Sequence, residues 1–358
     1  MTFGKKLALA LLLSGTLLAG PASATDQWLK LPDNVARLPA SFDPDIFKEQ
    51  VLLDRAGFSP GVIDGRKGEN TENARRAFQN ENGLKVGSLD PETRKKLTEK
   101  SGDEVLREYT IRKEDVAGPF VDKIPESIEE KAKLDRLAYH GPKEALAEKF
   151  HMAQELLAAL NPDKDFGKEG TTITVAAVNE MTGKGKSASS GSSTEGSGSS
   201  RPPHQKPDTD KPNTDKPSTD KKVARVVVDK QEKAVRVYDS EDRLIAFYPA
   251  SPGSKARPAP TGTYKVTRVA VEPSYTVNPK YDWVKTDKKL TIAPGPNNPA
   301  GLVWIEVSAG DGYGLHGVPD PENVGKTFSH GCIHLTNWDA LALAHLVKKG
   351  TPVEFKGG

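Results

Sequence analysis

Between Lys184 and Lys222 the 358-residue chain carries almost no side chain that burial could stabilise, and that interval limits its folds more than any other feature. The first part is rich in Gly and Ser. From Lys206 it repeats Lys-Pro-Asp-Thr-Asp, Lys-Pro-Asn-Thr-Asp and Lys-Pro-Ser-Thr-Asp. Burial in such a stretch cannot offset the entropy lost on ordering it. It is therefore expected to be a disordered linker, coiled over roughly 20 Å in its Gly/Ser part and extended at about 3.1 Å per residue where Pro recurs. No single core can run through it, and a chain this long exceeds one ordinary core in any case. The expectation is two halves, too well separated by a polar tether to pack into one core.

Residues 1–24 have the layout of an export signal. Lys5 and Lys6 precede an apolar run from Leu7 to Ala19, and Ala22-Ser23-Ala24 forms a small-x-small cleavage site. The run falls short of the roughly 20 residues that span a bilayer, and no cysteine follows to carry a lipid. A soluble exported protein, in the periplasm and without a membrane anchor, is expected. Removing the two signal lysines leaves 51 − 2 = 49 basic residues against 49 acidic ones. This near-neutral balance offers nothing to nucleic acid or another polyanion.

Ahead of the tether, Phe47 and Val51 mark a helix ending at Gly57, and a turn through Gly61-Val62-Ile63-Asp64-Gly65 leads to a second helix near Thr71. Ala74, Ala77 and Phe78 share one face of that helix, and Asp90-Pro91 is an N-cap followed by proline at the first helical position of a third. The order Gly57-Phe58-Ser59-Pro60-Gly61, Thr71, Phe78-Gln79, Asn82-Gly83-Leu84, Thr93 and Leu97 resembles a small helical peptidoglycan-binding domain over residues 41–101. Leu146, Phe150, Leu156, Leu157 and Leu160 follow at helical spacings, then Asn161-Pro162, Gly170 and the β-prone run Thr172–Val175. Residues 139–178 look like a lysin-motif (LysM) module of βααβ type; a helical spacer with one strand is the plainer alternative.

Beyond the tether the periodicity changes. Ala224–Asp229, Ala234–Tyr238, Leu244–Pro249 and Gly262–Val271 read as strands, and Thr336-Asn337-Trp338-Asp339 opens a helix that stops at Gly350 before a last strand, Pro352–Phe355. So many short strands with one late helix predict a β-sandwich or folded mixed sheet over 223–356. The fold class of the whole chain is multidomain α + β.

Cys332 is the only cysteine, and it lies in Ser329-His330-Gly331-Cys332. An exported protein that uses cysteines as staples carries them in pairs; this one is kept for reactivity or is an inert thiol. A thiol attacks an acyl group as thiolate, so it needs a base and donors for the developing oxyanion. His316, His330 and His334 are candidate bases, and the amides of Gly331 and Cys332 are candidate oxyanion donors. A rival reading is a zinc site on His330, Cys332, His334 and His316, disfavoured because period-2 ligands leave little freedom to form a tetrahedron. Neither metal nor cofactor is expected.

His316-Gly317, fourteen residues, then Ser329-His330-Gly331-Cys332-Ile333 with Asn337 resembles the L,D-transpeptidase catalytic domain, as do Tyr248-Pro249, Pro260-Thr261-Gly262 and Pro294–Pro299 with Trp304. The resemblance implies acyl transfer on peptidoglycan stem peptides. Cys332 would be the nucleophile, His316 its base, the Gly317 carbonyl the group orienting His316, and His330 a supporting wall. Ser329, His334, Asn337 and Tyr313 are candidates for the substrate pocket. A stem amine, a D-amino acid, water or the lysine of an outer-membrane lipoprotein are the acceptors the family offers. Transfer to water would make the protein an L,D-carboxypeptidase or cross-link hydrolase, and an idle domain would leave a wall-binding scaffold. One departure stands out: His334 occupies a position where the family usually has arginine. An unperturbed histidine loses its charge near pH 6.5, which predicts a charge switch in substrate binding.

Overall fold

The computed structural model describes residues 28–29, 38–181, 222–277, 279, 286–310 and 312–357. The expected export signal, and the expected tether apart from Lys222, lie outside them. Three helices come first: α1 (Pro44–Arg55), α2 (Glu69–Glu81) and α3 (Pro91–Ser101). The first and third begin as local chemistry dictates. The Asp43 carboxylate accepts from the amides of Asp45 and Ile46, Asp90 accepts from Thr93 at 2.8 Å, and proline opens both helices where no amide is needed. Phe47 and Val51 of α1, Ala74, Ala77 and Phe78 of α2, and Leu97 of α3 are buried against one another.

Strand β1 (Leu106–Thr110) follows, then the single-turn helices α4 (Lys113–Val116) and α5 (Ile128–Lys131), then α6 (Pro142–Lys149), α7 (Gln154–Leu160) and β2 (Thr172–Ala176). Strands β1 and β2 pair antiparallel, with Tyr109 opposite Ile173. The Asn161 amide ties α7 to β2, donating to the Thr174 carbonyl at 2.7 Å and accepting from its N–H at 2.6 Å. Helices α6 and α7 and strand β2 lie within the span 139–178 expected for a βααβ module, but the strand that pairs with β2 lies outside it. Residues 111–141 are inserted between β1 and α6.

The C-terminal half contains β3 (Val223–Asp229), β4 (Ala234–Asp239), β5 (Leu244–Pro249), β6 (Gly262–Val271), β7 (Tyr275–Val277), β8 (Leu290–Ile292), β9 (Val303–Val307), β10 (Gly314–Gly317), β11 (Ile333–Leu335), α8 (Asn337–Leu346) and β12 (Pro352–Lys356). Eight strands form one mixed sheet in the order β11-β10-β9-β6-β12-β3-β4-β5, and β7 and β8 form a separate hairpin. Only β10–β11 and β12–β3 are parallel pairs in that sheet. The alternating residues of β3, β4, β9 and β12 bury Val226, Val228, Val235, Val237, Val303, Ile305, Val353 and Phe355, and α8 adds Ala340, Leu341 and Leu343 to the same cluster. The Thr336 hydroxyl caps α8 through the Asp339 amide at 3.1 Å. Among the described residues no helix is long and apolar enough to cross a membrane.

The two halves are not separate, contrary to expectation. Strand β5 is the outer strand of the sheet, and the loop after α1 covers part of its exposed edge: the Phe247 amide donates to the Gly57 carbonyl and the Ser59 amide to the Phe247 carbonyl, both at 2.9 Å. Phe247 is fully buried in the cluster of Phe47, Phe58 and Phe78, together with Ala234 and Leu244. An open sheet edge is a strong site for pairing. A polar composition between two segments does not stop those segments from docking on one another.

Candidate active site

The three strands at the far end of the sheet from this junction carry or flank the side chains that the sequence singled out. Strand β10 lies between β9 and β11, which places His316 opposite Trp304 on one side and His334 on the other. The Trp304 ring stacks on the His316 imidazole at 5.1 Å and 22°, and the His334 ring lies 4.7 Å away at 59°. Nδ1 of His316 is 2.7 Å from the Gly317 carbonyl oxygen. A carbonyl only accepts, so Nδ1 carries the hydrogen and Nε2 keeps its lone pair. Burial lowers the His316 pKa to about 4, only partly opposed by the bond to Gly317, so the ring is neutral near pH 7.

Cys332 stands immediately before β11 and two residues from His334. Ser329 folds the loop that presents it: its hydroxyl accepts from the Gly331 amide at 3.0 Å and donates to the Cys332 carbonyl. Gly331 has φ +123°, a conformation that favours glycine, and a side chain there would also come within 3.3 Å of the Tyr313 ring. The residue is partly exposed, and its thiol donates to the Gly312 carbonyl at 3.2 Å. Burial of the sulfur pushes the thiol up to about 11, while the Gly314 backbone pulls it down. The resting site therefore pairs a neutral thiol with a neutral imidazole. Such a pair can generate its thiolate as the proton leaves, with no standing ion pair.

The structure divides the sequence-derived candidates. Cys332, His316, Gly317 and His334 come together; Tyr313 forms a wall against Gly331, and His330 is exposed beside them. Ser329 and Asn337 are almost wholly buried and serve behind the surface. Asn337, expected in the pocket, spends its amide on Leu302, Pro296 and Glu148. The Gly331 amide, expected to bind the oxyanion, is already bonded to Ser329, which leaves the Cys332 amide as the candidate donor. The surroundings of His334 also speak against the expected charge switch. Burial, with His316 and His330 close by, lowers this ring to about 3, so it carries no charge to lose near neutral pH. Its backbone makes two 3.0 Å bonds with Ser251, an extra bridge that anchors β11. Among the described residues no three His, Cys, Asp or Glu side chains converge in a metal-holding group.

Sequence reasoning gave Trp304 no role. Alternation along β9 could have set its facing, but only the pairing register puts it over His316.

Comparison with known proteins bears on both halves. The family described as "YkuD: L,D-transpeptidase catalytic domain" matches residues 223–355, and "Putative peptidoglycan binding domain" matches 43–97. "Putative L,D-transpeptidase YkuD" of Bacillus licheniformis is 31% identical over 129 residues, covering 36% of this chain and 63% of that protein. "Putative L,D-transpeptidase YqjB" of Bacillus subtilis is 30% identical over 132 residues, covering 36% and 68%. An L,D-transpeptidase from Mycobacterium smegmatis of known structure aligns with 22% identity and a TM-score of 0.31, covering 38% of this chain and 59% of that one.

Proposed function

This chain belongs to the L,D-transpeptidase family, and from that premise we propose that it is an exported cysteine acyltransferase of peptidoglycan stem peptides. The observation that carries the reading is the bond between His316 Nδ1 and the Gly317 carbonyl, because it leaves Nε2 as the acceptor for the Cys332 proton. The sulfur attacks the carbonyl of the third stem residue as its proton passes to His316. The tetrahedral oxyanion meets the Cys332 amide. Collapse breaks the bond to the terminal D-alanine, whose nitrogen takes the proton from His316, and leaves a thioester on Cys332. An amine of a second stem attacks the thioester, returns a proton through His316, regenerates the thiol and forms a 3→3 cross-link. The helical domain at 43–97 supports binding to the same polymer, which raises the local concentration of stems at a weak-binding site.

The test is incubation of the purified chain with tetrapeptide-stem fragments and mass analysis of the products. Cross-linked dimer, absent with Cys332→Ala, is the expected result. Tripeptide alone would show water as acceptor and make the protein an L,D-carboxypeptidase. Unchanged substrate would overturn the enzymatic reading.

A further inference from the structure

One buried carboxylate close to the catalytic base has no part in the mechanism above. Glu148 lies on α6, in the N-terminal half, and is 4% exposed. Its Oε2 accepts from Asn337 Nδ2 at 3.0 Å and from the Tyr139 hydroxyl at 3.1 Å. Asn337, the first residue of α8, also donates from Nδ2 to the Pro296 carbonyl at 3.2 Å, and its Oδ1 accepts from the Leu302 amide at 2.9 Å. These partners agree on the orientation of the amide. A carboxyl oxygen and a carbonyl face its nitrogen, and a backbone N–H faces its oxygen. Glu148 is thus one of the three groups that prevent the amide from turning over.

The oxygen fixed in this way lies against the backbone that holds the base. A Cβ placed on Gly317 would fall 2.3 Å from Asn337 Oδ1, so the two residues are in close contact and only glycine fits. Gly317 supplies the carbonyl that binds His316 Nδ1, and Leu302 leads directly into β9, whose Trp304 stacks on the same imidazole. The approach to β9 is tied to the N-terminal half elsewhere too. The Leu137 amide donates to Pro294, the Asn297 amide donates to Leu137, and Asn297 Nδ2 donates to Glu144 of α6 at 3.0 Å. Burial pushes the Glu148 carboxyl up to about 8, against the donors that favour its charge. A buried polar group of this kind costs stability, and fixing one conformation is its best-attested use.

We propose that Glu148 is a positioning residue of the active site: through Asn337 it sets the Gly317 backbone and the entry to β9 that hold His316, so that the N-terminal half is a structural part of the catalytic centre. The inference rests on the reading of His316 as the base for Cys332. Glu148→Gln keeps an oxygen that can accept from both Asn337 and Tyr139, whereas Glu148→Ala removes the shorter of the two bonds made by the Asn337 nitrogen and leaves only the 3.2 Å bond to Pro296 on that side.

The experiment compares full-length wild type, Glu148→Gln, Glu148→Ala and His316→Ala, with thermal unfolding as the check on folding. Two rates are followed across pH: turnover of tetrapeptide-stem fragments, and alkylation of Cys332 by iodoacetamide, which needs no peptidoglycan chemistry. Glu148→Ala is expected to lower kcat roughly ten-fold with KM within about two-fold of wild type, since small displacements of a catalytic group cost rate. Its alkylation profile should move toward that of His316→Ala, and Glu148→Gln should restore both rates to within about two-fold. A wild-type kcat and alkylation profile in Glu148→Ala would overturn the proposal, as would a loss confined to KM or a loss that glutamine does not rescue. Should the alanine variant not fold, Glu148→Asp, which withdraws the carboxyl by one methylene, takes its place with the same outcomes. If wild type does not turn over stem peptides, the functional reading fails, and the alkylation profiles alone still decide the role of Glu148.

Discussion

Two histidines in this protein have similar ring contacts and different proposed roles. His316 stacks on Trp304 at 5.1 Å and 22°; His151 stacks on Trp338 at 5.2 Å and 8°. Each uses Nδ1 for a short bond, His316 to the Gly317 carbonyl at 2.7 Å and His151 to the Asp54 carboxylate at 2.9 Å. The difference lies in the acceptor and in what surrounds the rest of the ring. His316 is bonded to a neutral carbonyl and lies on the strand beside a thiol, so its lone pair is available for proton transfer. His151 links Asp54 of α1 to Trp338 of α8, and its carbonyl accepts from the Ile63 amide at 2.8 Å, so it joins three segments at the junction of the halves. Next to it Asp339 accepts from the Ser59 hydroxyl at 3.1 Å, a serine, a carboxylate and an imidazole together in the core. Residue types alone do not make an active site; the neighbouring groups and the charge of the orienting group do.

The largest effect should separate the two rings outright. Cys332→Ala should abolish acyl transfer and His316→Ala should lower it by about 10³-fold or more, with little change in stability. In wild type, turnover should fall as pH drops through about 4, where His316 takes up a proton and can no longer accept one. Kinetic assays with tetrapeptide stems check both, and an undiminished rate in His316→Ala would erase the contrast.

His151→Ala should do the reverse. It removes a buried bond to Asp54 and a ring from the Trp338 stack, an expected loss of about 1–3 kcal/mol in urea unfolding, with kcat within about three-fold of wild type. A collapse of kcat at unchanged stability would place His151 in the chemistry.

His334→Arg sharpens the picture at the catalytic end. A neutral ring packed beside His316 is not a substitute for a cation, so arginine should disturb the strand and lower kcat/KM by roughly ten-fold at every pH tested. A gain confined to neutral and alkaline pH would revive the charge switch.

The smallest effect lies at Asp339. Burial and then the Asp54 charge raise its carboxyl from 3.8 to about 7, while Ser59, His151 and Thr336 pull it down. The folded state therefore holds a proton that the unfolded chain releases at lower pH. The associated stability is complete below about pH 4 and is lost as pH rises through about 7. Asp339→Asn, which imitates the protonated form, should unfold at a free energy higher than wild type by on the order of 1 kcal/mol at pH 8 and about equal at pH 4. Parallel unfolding curves at the two pH values measure it, and an equal change at both would show that the carboxyl does not titrate there.

Much of the protein was legible because it is local. Asp90 and Thr336 cap the helices they precede, since a cap bonds an amide only three residues away. Apolar alternation located β3 to β6, because side chains on a strand face opposite ways at every step. The run Ser329–Cys332 marked a candidate nucleophile through residue types within one turn of chain. None of this contained the register that lays Trp304 over His316, or the burial that keeps His334 uncharged. Nor did it show that Glu148 reaches Asn337, 189 residues on in sequence, across a junction that a polar tether gave reason to doubt. Caps, periodicities and a compact motif depend on neighbours in the chain, so the sequence alone determined them. Desolvation, strand register and the docking of one half on the edge of the other depend on every surface competing to be buried at once, and only the tertiary structure decided those.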